Sequence, residues 1–551
     1  MRAVLIIGAG LAGLSAAITL AEGGRKSVLI SSLPAERAQS VMAEGGINAA
    51  LDTYGQGDSP EKHFEDTMAA GCGLADPNAV RAMTAEAPEI VEKLAKLGVA
   101  FNRTAEGKLD QRYFGGQEKR RTVFAQSSTG KQVTAALIQR ARYWESRGMI
   151  ERRDHHALLD LVMTEDGACA GCILRDGHSG ETGVCLGPVL LCCGGLNGLF
   201  GKTTGTVQNT GGAAAAAFAA GVPCANLEMI QYHPTTAAIS GKRALISEAA
   251  RGEGGRLFLL RGGAPWYYME ELYPKFGSLM PRDVVSRETA RLCREYGQET
   301  AWLDMTGITA GAFEEKLADL RAFCREFLHL DPKTAPIPVY PGIHYFMGGL
   351  YVDALHRTPA RHLYAAGECA CQYHGANRLG GNSLLGALRG GRQAARTILA
   401  GETEDDVLSP PEQAAAQWRQ KLREIEGRGG ACSCAAGEQC LAQTMRAALG
   451  IERSEETLRA GAEALAALAE ELRRGRDSRV RPEEQLALER RVDLAAAMTE
   501  SARERKESRG AHWRRDFPER RDADFQKTTL ACRRDGKTEI AFAEIPKEES
   551  T

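Results

Sequence analysis

Apolar residues recur along this chain in three rhythms, and each rhythm predicts a different kind of element. Residues 3–7 (AVLII) form a short unbroken apolar run, the pattern of a strand covered on both faces. A glycine cluster at 8–13 and an Ala-rich helical stretch follow, and a second strand is predicted at 27–30. Helical spacing returns over 76–97 and 130–143. Over 158–191 apolar and polar positions alternate between the turn signals EDG, RDG and SGET. That alternation predicts a meander of antiparallel strands, closing in the buried strand 189–191 and its glycines. An Ala-rich helix is predicted over 213–220. Residues 224–340 lose these rhythms, whereas beyond 400 helical periodicity takes over. Helices are predicted near 411–427, 439–448, 454–475 and 482–507, packed as a bundle, with a strand pair near 528–543.

Length and charge narrow the class. A chain of 551 residues exceeds what one core serves, so two or more domains are expected. A net charge of −2 lacks the basicity that nucleic-acid binding needs and leaves small anionic substrates open. The 15 cysteines are odd in number and sit in apolar runs such as Cys192-Cys193, which reads as buried reduced thiols. A strand starting at Ala3 leaves no room for a cleavable leader, and there is no long run of apolar residues of the kind that spans a bilayer. The expected location is cytoplasmic, with membrane contact only through a partner.

Chemistry concentrates in a few places. Gly8-Ala9-Gly10-Leu11-Ala12-Gly13 lies between a strand and a helix, where glycines let the backbone approach a pyrophosphate held at the helix N-terminus. The acidic residue that usually ends the second strand is replaced by Ser31 and Ser32, which weakens a nicotinamide reading and leaves a flavin reading intact. Residues 39–47 are polar, glycine-bearing and too irregular for helix or strand. Thr210-Gly211-Gly212 opens another helix N-terminus. Within 224–340, QYHPT, SEAARGEGG and PRD each join a charged or imidazole group to glycine or proline, as in a substrate-binding lid inserted in a cofactor domain. Residues 341–385 gather histidines, arginines, carboxylates and glycines. Cys432, Cys434 and Cys440 fall in a stretch that reads as a flexible loop with incidental thiols, and no metal site is predicted.

Taken in order, GAGLAG (8–13), AEGGI (43–47), QYHPT (231–235), SEAARGEGG (247–255), PRD (281–283), HYFMGG (344–349), GE (367–368), HGANRLGGNSLL (374–385) and ESRGAH (507–512) span nearly the whole chain. By these motifs the sequence resembles the flavoprotein subunits of succinate dehydrogenase and fumarate reductase, together with L-aspartate oxidase. The resemblance implies an α/β fold: a Rossmann-type FAD-binding domain (1–223 and 341–404) with an inserted α+β capping domain (224–340). A helical domain (405–510) and a C-terminal tail (511–551) follow. It implies that His233, Ser247, His344 and Arg378 hold the carboxylates of a small dicarboxylate, Ser247 standing where threonine is usual. Arginine suits that task, because its planar fork matches a carboxylate and each charge-assisted bond is worth roughly 1.5–3 kcal/mol.

The reaction implied is hydride transfer between flavin N5 and one carbon of a C=C bond, with Arg282 delivering a proton to the adjacent carbon. Glu248 and Arg251 relay that proton. Since an arginine pKa exceeds roughly 12, such an acid requires a desolvated, cation-crowded site and a prompt proton source. For FAD the resemblance names Gly8, Gly10, Gly13, Ser40, Gly45, Gly46, Glu368, Asn382, Ser383 and Leu384. Membrane-complex members carry a flavin-linking histidine where this chain has Gln39, so noncovalent FAD is expected, and with it fumarate reduction more than succinate oxidation. Gly212 in place of an aspartate, and a segment between Glu368 and His374 one residue shorter than in most succinate dehydrogenases, alter details of cofactor contact. The ESRGAH segment resembles members that receive electrons from an iron-sulfur subunit. L-aspartate oxidase is the alternative, and a non-catalytic flavin-binding redox protein is a third reading that His233 and Arg282 argue against.

Overall fold

The structure is a computed structural model that describes residues 2–401 and 411–548. Its central sheet is five-stranded, in the order Leu363–Ala365, Val189–Leu191, Val4–Ile7, Ser27–Ser31, Ile150–Asp154, and every neighbouring pair is parallel. Val4 and Ile6 pack into the core on one face, with helices Leu11–Glu22, Thr129–Glu145 and Asn382–Gly401. Leu5 and Ile7 pack into the other. Covering on both faces is why this strand reads as an unbroken apolar run.

The meander is three strands, His156–Met163, Cys169–Asp176 and Thr182–Leu186. Strand Val189–Leu191 leaves it and inserts in parallel between Val4–Ile7 and Leu363–Ala365, bringing Cys192 to the glycine turn.

A second, six-stranded sheet runs Lys242–Leu245, Ile230–Ile239, Ile337–Phe346, Ala301–Asp304, Arg256–Arg261, Ala264–Trp266, and it is antiparallel throughout. With helix Arg282–Glu295 and helices Ala310–Lys316 and Ala318–Phe327 it has its own core around Leu257, Leu303, Phe313 and Val339. Strand Ile337–Phe346 carries the chain straight across the boundary drawn at 340. Cys224–Ala225, at the other boundary, pairs with Gly349–Tyr351 and with the tail strand Lys527–Arg534. The boundary drawn at 404 lies outside the described residues.

Helices Pro411–Glu426, Cys434–Ala448, Glu455–Arg474 and Pro482–Glu504 form the bundle. The expected loop at the three cysteines needs correcting: Ser433 caps a helix that starts at Cys434, its side chain accepting from Ala436 N. Gly437, a loop signal in the sequence, is instead the close-packing point of that helix, where a Cβ would lie 3.2 Å from Leu488. Cys434 is buried and Cys440 follows on the same helix. Among the described residues no helix is long and apolar enough to cross a membrane.

Candidate active site

The glycine turn at 8–13 is built for close approach. A Cβ on Gly8, whose φ is +118°, would sit 2.1 Å from Cys192 O, and one on Gly13 would sit 1.9 Å from Gly8 O. Helix Leu11–Glu22 begins on Gly10 with no side-chain cap, so its first N–H groups remain open to an anion, apart from Leu11 N–H, which reaches Ser40 Oγ at 3.3 Å. Ser40 itself lies on a 3-10 turn, Gln39–Met42, more regular than its sequence suggests. Gly45 and Gly46 follow, each closed in by aromatic or backbone atoms.

Glu368 is half-buried and accepts from Phe346 N at 3.1 Å. Burial pushes its carboxyl up to about 7, against the pull of that N–H and of Arg378. Helix Asn382–Gly401 starts with Asn382, Ser383 and Leu384. The Asn382 side chain is used up inside the protein: Oδ1 accepts from Asn48 Nδ2 at 2.8 Å and meets His63 Nε2 at 2.9 Å, and Nδ2 donates to Thr67. The turn, the open N-terminus of helix Leu11–Glu22 and the Glu368 carboxyl fit an FAD, whose pyrophosphate needs N–H groups and whose hydroxyls need an acceptor.

His233 and His344 come from adjacent strands, Ile230–Ile239 and Ile337–Phe346. Register shifts flank His233, where Pro234 cannot donate to the ladder, and such a bulge re-aims a side chain. The two rings stand edge to face with centroids 5.1 Å apart. Burial drives both imidazoles well below their usual pKa, followed by Arg282 and Arg251 at His233 and by His233 and then Arg282 at His344, so both are neutral. Ser247 is buried, its hydroxyl reached by Ala249 N at 3.4 Å.

Arg378 lies over the Tyr345 ring, 4.5 Å from its centroid, with Nε buried and without a protein partner. Burial, then the charge of Arg282, lowers its pKa to about 9.

Glu248, at 2% exposure, binds both relay arginines: Oε2 accepts from Arg282 Nε at 2.8 Å, and Oε1 lies 3.2 Å from Arg251 Nη2, the i,i+3 pair the spacing allows. Oε1 also accepts from Gly115 N at 3.0 Å. Although burial opposes ionisation, the two guanidiniums hold the carboxyl down at about 2. Three buried guanidiniums (Arg251, Arg282, Arg378) against one carboxylate leave two surplus positive charges, which a dianion would neutralise.

Sequence reasoning missed several neighbours. Gln231 joins the sheets by accepting from Arg282 Nη1 at 3.1 Å and donating to Asn377 Oδ1 and Arg378 O at 2.8 and 2.7 Å. Gln231 and Asn377 sit inside QYHPT and HGANRL, so their motifs carried the signal. Thr204, 2.8 Å from His344 Nδ1, lies in no motif. Gln39 accepts from Thr206 N at 2.6 Å.

A family model for an FAD binding domain matches residues 3–384, and one for the fumarate reductase flavoprotein C-terminal region matches 438–550. The succinate dehydrogenase flavoprotein subunit of Bacillus subtilis is 36% identical over 96% of this chain and 93% of its own length. L-aspartate oxidase of Streptomyces coelicolor is 33% identical over 95% and 90%. A solved E. coli quinol fumarate reductase chain superposes with a TM-score of 0.88 at 30% identity, covering 100% of this chain and 97% of that one. This chain belongs to the succinate dehydrogenase and fumarate reductase flavoprotein subunit family and is an FAD-dependent oxidoreductase of that type.

Proposed function

We propose that the enzyme reduces fumarate to succinate. The observation that carries this reading is the buried surplus of two positive charges at Arg251, Arg282 and Arg378, beside two neutral imidazoles and against the FAD cradle. Arg378, whose Nε has no protein partner, binds one substrate carboxylate, and His233, His344 and Ser247 direct hydrogen bonds to the carboxylates. Bound FAD supplies the hydride.

Arg282 delivers the proton to the second carbon of the double bond. Glu248, ionised between Arg282 and Arg251, takes up a proton from the Arg251 side and passes it to Arg282 once that side chain has given up its own. Gly8, Gly10, Gly13, Ser40, Gly45, Gly46, Glu368 and the helix start at 382–384 hold the cofactor. Gln39 cannot form the covalent link a histidine makes, so FAD is bound noncovalently and keeps a lower potential, which favours reduction. Electrons arrive from an iron-sulfur partner, as the name "flavoprotein subunit" among the relatives supports, and any membrane contact is that partner's. The location is cytoplasmic.

L-aspartate oxidase is the second reading, favoured by the Streptomyces relative and by Gln39. The two separate anaerobically. Reduced enzyme is mixed with fumarate and the flavin absorbance followed; reoxidation is expected. No reoxidation by fumarate, together with reduction of the oxidised flavin by L-aspartate, overturns the fumarate reading.

A further inference from the structure

Thr204 occupies a turn with no sequence motif, yet its hydroxyl touches the substrate cluster at His344. Its N–H donates to Ile343 O at 2.9 Å, which pins the turn to strand Ile337–Phe346 one residue before His344. Its hydroxyl lies 2.8 Å from His344 Nδ1 and 3.3 Å from Ile343 O. Two residues on, Thr206 N–H donates to Gln39 Oε1 at 2.6 Å, so the turn is held at both ends.

The shorter of the two hydroxyl contacts is to the imidazole, and its direction follows the ring's tautomer. The Ile343 carbonyl already receives the Thr204 N–H. A hydroxyl that donates to Nδ1 leaves the single ring proton of a neutral imidazole on Nε2. That tautomer makes His344 a donor, which a carboxylate oxygen requires. The opposite tautomer would present a lone pair to a dianion.

We propose that Thr204 is a positioning residue: its hydroxyl fixes His344 in the Nε2–H tautomer and orients it as a donor to the substrate carboxylate. The proposal rests on the reading of His344 as a carboxylate clamp. It goes further in naming what sets that ring's hydrogen-bonding sense. Ser at 204 keeps the hydroxyl, whereas Val keeps the shape and removes it.

The test uses the FAD-loaded enzyme with reduced viologen as electron donor and fumarate as acceptor, comparing Thr204→Val, Thr204→Ser, His344→Ala and the Thr204→Val, His344→Ala double variant. Flavin content and melting temperature are recorded for each. Thr204→Val is expected to raise the fumarate KM about 5- to 10-fold, the worth of one hydrogen bond, with kcat within twofold. Thr204→Ser is expected to stay within twofold of the parent in both. In the His344→Ala background Thr204→Val is expected to add nothing, because its only route to substrate is already gone.

A Thr204→Val KM within twofold of the parent, while His344→Ala raises KM, overturns the proposal and leaves the clamp standing. So does a Thr204→Val effect that persists undiminished without His344, since that is a merely structural role. If Thr204→Val lowers flavin content or melting temperature, the Thr204→Ser variant decides: loss of affinity there, with normal flavin content, overturns the proposal. An unchanged KM in His344→Ala overturns the clamp and the proposal with it.

Discussion

Glu248 and Arg282 form the tightest charged contact of the site: one carboxylate oxygen, Oε2, accepts from Nε at 2.8 Å and from Nη2 at 2.5 Å, with both side chains buried. Single-oxygen binding leaves Oε1 for Arg251 and for Gly115 N. One carboxylate therefore spans two guanidiniums and a backbone N–H. A relay needs this arrangement, and a mere salt bridge would not.

Replacing Glu248 by Gln preserves shape but removes the carboxylate bonded to both Arg282 and Arg251. Proton return to Arg282 fails, and the kcat for fumarate is expected to fall at least about 10²-fold, within the range for a lost acid-base group. Binding of malonate, an unreactive dicarboxylate, is expected to hold or tighten, because the site gains positive charge. Steady-state rates and a malonate titration measure the two. Turnover within tenfold of the parent removes Glu248 from the relay.

How the site assembles was only partly legible beforehand. QYHPT and HGANRL announce His233 and Arg378 because their residue types are wrong for a core, and the glycine turn announces itself by spacing. Thr204 and Gly115 carry no such mark; Thr204 reaches the site through its hydroxyl at His344 and its N–H at Ile343, and Gly115 through its N–H at Glu248. The stretch 505–514 is dense with charge, yet Arg505, Glu507 and Arg509 have fully buried side chains. Arg505 pairs with Glu228 at 2.7 Å, 277 positions away, and with Glu507 at 2.9 Å. Periodicity reports local faces, so partners this distant leave no trace in it. Gly437 misled for the opposite reason, since a glycine that permits close helix packing looks the same as one that ends a helix.

Arg378 makes substrate binding pH-sensitive in the alkaline range. Burial, then Arg282, lowers its pKa to about 9 in the free enzyme, and only the protonated form grips a carboxylate. Affinity is therefore complete below about 9 and is lost as pH rises through it. kcat/KM for fumarate is expected to fall about tenfold per unit above that pH, with kcat less affected because bound substrate restores the proton. A flat kcat/KM profile to pH 10 contradicts the role given to Arg378.

Gln39 predicts how the flavin leaves. With its amide oxygen bonded to Thr206 N and no nucleophile at that position, acid precipitation of the holoenzyme is expected to release all the yellow colour to the supernatant. Colour retained in the washed pellet means a covalent link formed elsewhere.

Glu44, between Ala43 and the flavin-side glycines, has a buried Oε2 with no hydrogen-bond partner. Burial, then the Asp319 carboxylate of helix Ala318–Phe327 on the capping sheet, pushes its pKa from 4.5 up to about 8, with Arg112 pulling the other way. The folded state thus holds this proton more tightly than the unfolded chain. Its contribution to stability is complete below about 4.5, declines as pH rises, and is gone above about 8. Glu44→Gln keeps the shape and never ionises, so it escapes that decline. Relative to the parent, its melting temperature is expected to be unchanged near pH 4.5 and higher by on the order of a few degrees at pH 9. A gain of equal size at both pH values, or none at pH 9, contradicts the assignment of a protonated carboxyl wedged between the cofactor segment and the cap.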